Sequence, residues 1–165
     1  MKVKRFIYTV LLIVWMIVIF MFSNQDANKS KTTSDGVTST IINTVENVTK
    51  QEITKEKKNN LIEDTRFLIR KCAHFTLYFV LGFLTYFTLT SYSSSRMVLY
   101  SVVFCFLYAC SDEVHQMFLD GRTPKIMDVL IDTVGSSGSI GLCYFIESFR
   151  KNRVINKNTK LNFKN

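Results

Sequence analysis

The sequence predicts an all-α fold: an integral membrane four-helix bundle with an extracytoplasmic amphipathic helical segment between helices 1 and 2. Three observations carry this. Residues 6–22, "FIYTVLLIVWMIVIFMF", hold no charge. Three further long apolar stretches follow, at 72–92, 97–111 and 126–149. The formal net charge of +8 gathers at the two chain ends, so a chain that is only 47% hydrophobic on average is strongly segregated along its length. At 165 residues the chain is one domain, 1–150, followed by a basic tail, 151–165, expected to be disordered.

The first span covers about 6–22. Seventeen apolar residues in helix rise about 25 Å, close to a bilayer core of about 30 Å. The following "SNQDANKS" offers no small-x-small cleavage site, so the helix reads as an uncleaved anchor rather than a signal peptide.

The outer segment, 23–66, carries seven basic and seven acidic residues. Val37, Ile41, Ile42, Val45 and Val48 recur at helical spacing behind Ser34 or Asp35 as a cap. A second amphipathic piece runs from about Ile53, through Leu61 and Ile62, into the second span. Helices lying on the membrane surface are the expectation, with a lid over the polar site as the alternative.

The second span covers about 67–92. In 78–92 and 97–111 hydrophobicity goes all round, whereas a soluble helix would show a recurring polar face. Near its start Arg70, His74 and Tyr78 fall at i, i+4 and i+8, with Lys71 beside them.

The third span covers about 97–118. Its fifteen uncharged residues, 97–111, rise only about 22 Å, too little to cross. The helix therefore continues through "DEVHQMF". A charge at the bilayer centre costs about 2.5–3.5 kcal/mol on insertion scales, so these groups must face protein or water. Asp112, Glu113 and Gln116 share one side, with His115 next to it.

The fourth span covers about 124–149. Thr123 suits the N-cap and Pro124 the first helical position. Asp128 and Asp132 stack on one face, and Gly135 and Ser139 continue it with small residues that allow close helix approach. Cys72, Cys105, Cys110 and Cys143 all lie in apolar stretches and form no CxxC pair, so no disulfide framework or thiol chemistry is expected.

Lys2, Lys4 and Arg5 precede the first span, and Arg150, Lys151, Arg153, Lys157, Lys160 and Lys164 follow the last. The positive-inside rule places both termini in the cytoplasm of a multi-pass cell-membrane protein. The link "SYSSSR" is then cytoplasmic, and the 23–66 segment and the turn at 119–125 face outward. Arg70, His74, Tyr78, Asp112, Glu113, His115, Gln116, Asp128 and Asp132 fall in the outer halves of three spans, with Arg122 in the turn "LDGRTP". Two outward helix N-termini, with Arg70, Lys71 and Arg122, suit an anionic headgroup. Alternatively, Arg70, Lys71, Arg122 and Lys125 pair with Asp112, Glu113, Asp120, Asp128 and Asp132 and only lock the bundle. The basic tail reads as an anchor at anionic lipid, and nucleic acid is excluded for want of any binding motif. No ligand spacing such as HExxH is present, so neither metal nor cofactor is expected.

Several ordered pieces resemble the VanZ-like membrane protein family. They are "FSNQ" at 22–25, "RKCAHFTLYFVLG" at 70–82 and "SDEVHQMFLDGRTPKIMDVLIDTVGSSGS" at 111–139. The resemblance points to Arg70, His74, Tyr78, Asp112, Glu113, Gln116, Arg122, Asp128, Asp132 and Gly135. Leu77 stands where the family often has Glu. The resemblance implies a bacterial membrane and, for the founding member, resistance to the glycopeptide antibiotic teicoplanin. Some relatives carry the name phosphotransbutyrylase, but this chain has no coenzyme-A or phosphate-loop signature.

The preferred function is an outward polar pocket that engages a cell-envelope component, an anionic lipid or lipid-linked precursor, with glycopeptide resistance as its outcome. In it Arg70 and Arg122 bind the headgroup, and His74, Glu113, Asp128 and Asp132 orient it or move protons. The rivals are a membrane-embedded enzyme acting on a lipid-linked precursor, with His74 or Glu113 as general base and Asp128 and Asp132 as further candidates, and a structural subunit.

Overall fold

The computed structural model describes residues 2–24, 36, 40, 44, 55–92, 97–119 and 125–162. Among these, four helices hold nearly all residues and no strand occurs: α1 (Lys2–Ser23), α2 (Lys55–Ser91), α3 (Met97–Gln116) and α4 (Ile126–Asn162). Each contains a segment long and apolar enough to cross a membrane: Lys2–Ser23, Phe67–Ser91, Met97–Gln116 and Ile126–Ile155.

Polar side chains share the interior with a small apolar core, and large apolar ones cover the exterior. Phe6, Ile13, Ile17, Phe104, Leu107, Tyr144 and Phe145 are exposed, whereas Thr85, Ser101, Asp112, Asp132, Ser136 and Ser139 are buried. Apolar side chains outside and polar ones inside suit hydrocarbon as solvent, where packing and interhelical hydrogen bonds hold helices together.

The widest interface joins α2 to α4, and α1 lies mainly against α2. Small residues explain the first. A Cβ added to Gly82 would stand 2.3 Å from the Ser136 carbonyl oxygen and 2.4 Å from Ser139 Oγ. One added to Gly135 would stand 2.8 Å from the Phe75 carbonyl oxygen. The expected Gly135–Ser139 stripe is therefore a contact with α2. Helix α1 is tied by aromatic donors and acceptors. Trp15 Nε1 donates to the Leu77 carbonyl at 2.9 Å, and Tyr108 Oη donates to the Met16 carbonyl at 2.7 Å. At the end of the bundle that holds the N-terminus, Arg5 Nε donates to the Ser91 carbonyl at 2.7 Å and closes the C-terminus of α2.

As expected, the second amphipathic piece runs into the second span, and the two form one helix, Lys55–Ser91. One helix limit differs from the sequence expectation. Helix α4 does not stop near 149 with a disordered tail but continues to Asn162. No Gly or Pro occurs from 142 to 162, so nothing in the backbone ends it, and lysine and arginine are good helix formers. Of the outer segment 25–54, only Gly36, Thr40 and Thr44 are described, each helical, with Thr40 Oγ1 donating to the Gly36 carbonyl at 2.9 Å. The pattern Val37, Ile41, Ile42, Val45 and Val48, the caps at Ser34 or Asp35 and Thr123, and Pro124 lie outside the described residues.

The half of the bundle that the sequence leaves nearly free of charge also holds an ionisable side-chain pair. Tyr86 Oη donates to Glu147 Oε2 at 2.6 Å, joining α2 to α4. A double-mutant cycle of Tyr86→Phe and Glu147→Gln, read by thermal unfolding, is expected to give a coupling of about 1 kcal/mol. Strictly additive losses would show that the bond contributes nothing.

Candidate functional site

Three helices bring i, i+4 pairs to the opposite end: His74 and Tyr78 from α2, Asp112 and Gln116 from α3, Asp128 and Asp132 from α4. The 3.6-residue period puts both members of each pair on the face toward the other helices. Ser23 closes the fourth side. Tyr78, Asp112, Glu113, Gln116, Asp132 and Ser23 are all buried.

The outer part of this cluster is paired. Lys71 Nζ bonds Asp128 Oδ1, with the two side chains 17% and 27% exposed. Glu113 Oε1 accepts the Lys125 backbone N–H at 2.5 Å, just before α4 begins. A carboxylate at a helix start satisfies an orphan donor and meets the positive end of the dipole. Gln116 Nε2 donates to Ser23 Oγ at 2.6 Å and to Asp112 Oδ2 at 3.2 Å, which ties α1 to α3.

The inner part is less complete. His74 Nδ1 stands 3.7 Å from Asp132 Oδ2, too far for a hydrogen bond. His74 Nδ1, Asp132 Oδ1 and Tyr78 Oη are buried without a hydrogen-bond partner, although Asp112 and Asp132 both lie close to the Tyr78 hydroxyl. His74, Asp112 and Asp132 each offer one ligand-capable atom within 4.8 Å of the other two.

The VanZ/LLP1 family model matches residues 8–147, a range that reaches into all four spans. The chain belongs to the VanZ/LLP1 family. No curated protein and no solved structure matches it.

In this VanZ/LLP1 chain the expected residues do not all meet. His74, Tyr78, Asp112, Gln116 and Asp132 converge at the centre, and Glu113 and Asp128 stand beside them at the mouth of α4. Arg70 is exposed, one turn before His74, where the drifting stripe has left the interior. Arg122 and Asp120 lie outside the described residues. His115 turns to α1. Its ring centroid is 4.6 Å from that of Phe20, and its Nε2 is 3.3 Å from Asn24 Oδ1. Leu77, where the family often has Glu, is half-buried against the core, and its carbonyl accepts from Trp15.

Ser23 is the member that sequence reading missed. It is 1% exposed and accepts from Gln116. The signal was available, since the apolar run ends on "SN" at the depth where the other helices become polar. A serine there looks like the start of a loop until its partner is seen.

Proposed function

We propose that this VanZ/LLP1 protein engages an anionic cell-envelope component, a lipid headgroup or lipid-linked precursor, at the polar end of its bundle. The observation that carries the reading is the burial of Asp112 and Asp132 beside His74, within a protein whose exterior is hydrocarbon-like. Ionisable groups inside a membrane bundle are costly and usually serve a ligand or ion path. Lys71, Lys125 and exposed Arg70 supply positive charge at the rim, and the N-terminus of α4 opens at the same end. Positive-inside asymmetry makes this end extracytoplasmic and both termini cytoplasmic. Such a pocket reaches the envelope precursors that glycopeptide antibiotics target, and teicoplanin resistance is the matching phenotype in a bacterial cell membrane.

The test uses the full chain in nanodiscs carrying a polyprenyl phosphate, with retention read by native mass spectrometry. Arg70→Gln and His74→Gln are expected to weaken retention about tenfold or more, the scale of one lost charge-assisted hydrogen bond, at unchanged protein abundance. In cells, expression is expected to raise the inhibitory concentration of teicoplanin, and the same variants to abolish that rise. If the variants reduce only abundance, the cluster is a structural lock. If all variants retain the lipid equally, the headgroup reading is wrong. Orientation is checked separately by labelling a cysteine at position 120 on a cysteine-free chain. Reaction from the cytoplasmic side alone would reverse the topology.

The open hydrogen-bonding positions at His74 Nδ1 and Asp132 Oδ1 favour one rival, catalysis on such a precursor. Only that reading requires a changed precursor profile on expression, measurable by mass spectrometry of extracted lipids.

A further inference from the structure

We propose that His74, Asp112 and Asp132 bind one divalent transition-metal cation inside the bundle. The inference goes beyond the headgroup reading and does not depend on it.

Geometry is the first support. Nitrogen and oxygen ligands stand about 2.0–2.2 Å from an ion such as Zn²⁺, so two atoms on one ion are separated by at most about 4.2 Å. His74 Nδ1 and Asp132 Oδ2, at 3.7 Å, already lie within that span. All three ligand atoms lie within 4.8 Å of one another, so the set closes on an ion with shifts of a few tenths of an ångström to about half an ångström each. The His74–Asp132 distance is too long for a hydrogen bond and ordinary for two ligands sharing a cation.

The second support is a set of unsatisfied hydrogen-bonding atoms at the same place. Tyr78 is 0% exposed, and its hydroxyl is buried without a hydrogen-bond partner beside both carboxylates. Buried polar atoms are nearly always satisfied. Three unsatisfied atoms at one place, on Tyr78, His74 and Asp132, mark a position that a bound species completes.

Charge is the third. Asp112 and Asp132 are 5% and 3% exposed. The lysine that reaches this end is engaged elsewhere, Lys71 on Asp128. Asp132 has Lys71 nearby and His74 at 3.7 Å, Asp112 accepts from Gln116, and a doubly charged cation balances the two inner carboxylates. The donor set selects its class. Imidazole with carboxylates suits Zn²⁺, Mn²⁺ or Fe²⁺, whereas Mg²⁺ and Ca²⁺ prefer oxygen alone. Gln116, donating to Asp112 Oδ2, holds that ligand in place from outside. Three protein ligands leave a coordination position open, next to the Tyr78 hydroxyl.

The untagged full chain is purified in detergent, stripped with EDTA and equilibrated with Zn²⁺ or Mn²⁺ alone. Metal is counted by mass spectrometry after dialysis. The expected result is one equivalent per chain. Asp132→Asn and Asp112→Asn should each weaken it about 100-fold or more, beyond the 10–100-fold that an outer partner contributes. Glu147→Gln, at the other end of the bundle, should retain the equivalent. A readout on the unmutated chain covers variants that fail to fold. Mn²⁺ electron paramagnetic resonance should show hyperfine coupling to one imidazole nitrogen. The chain has only two histidines, so His115→Gln should leave that coupling intact. Substoichiometric loading with both ions, absence of nitrogen coupling, or equal loading of wild type and Asp132→Asn would each overturn the site.

Discussion

Gly82→Ala is expected to lower stability by about 1–3 kcal/mol or more, the range for forcing an extra carbon into a packed core. The new methyl would sit 2.3 Å from the Ser136 carbonyl oxygen and 2.8 Å from Ser136 Cα. Those are backbone atoms and cannot turn aside, so α2 and α4 must separate. The measurement is thermal unfolding of the purified chain, with Gly138→Ala and Gly141→Ala beside it. Neither control meets any atom within 4 Å. Alanine there should be neutral or stabilising by up to about 1 kcal/mol, its helix-propensity advantage. Three equal responses would refute close α2–α4 contact as the basis of the fold. The same interface sets the distance between His74 and Asp132, so Gly82→Ala should also impair whatever the cluster binds.

Lys71→Glu should be nearly as damaging. Lys71 bonds Asp128, and Asp132 and Glu113 also lie near it. Reversal puts a fifth carboxylate against Asp112, Glu113, Asp128 and Asp132. Breaking a buried pair costs about 3–5 kcal/mol, and the partial exposure of this one places the expected loss near about 3 kcal/mol. The swap Lys71→Glu with Asp128→Lys restores one attraction and should recover at least half of the loss. A swap no better than the single change would show that Lys71 acts through something other than Asp128.

The polar end of the bundle was legible because it follows from local arithmetic. His74–Tyr78, Asp112–Gln116 and Asp128–Asp132 are each four residues apart, and an apolar helix can hide such a pair only by turning it inward. The partners were not legible. Glu113 is spent on the Lys125 backbone N–H rather than on an arginine. His115, one residue before Gln116, faces Phe20 instead of the acids. Each residue advances a helix by about 100°, so neighbours in sequence can face the interior and a flanking helix respectively. Arg70 leaves the interior because an i, i+4 stripe drifts by about 40° at each step. Tyr86–Glu147 could not be inferred either, since it links positions 61 apart whose heights match only after α2 and α4 have docked.

The sequence by itself determined the number of spans, their approximate limits and the end at which charge collects. Those depend on hydrophobic length and helical period, which are properties of one segment at a time. Tertiary structure alone decided that His74, Asp112 and Asp132 meet around unsatisfied atoms while Lys71 is drawn to Asp128. The reason is that Gly82 and Gly135 fix how far α2 and α4 approach and how they are rotated. That is a property of two surfaces in contact, and no single helix encodes it.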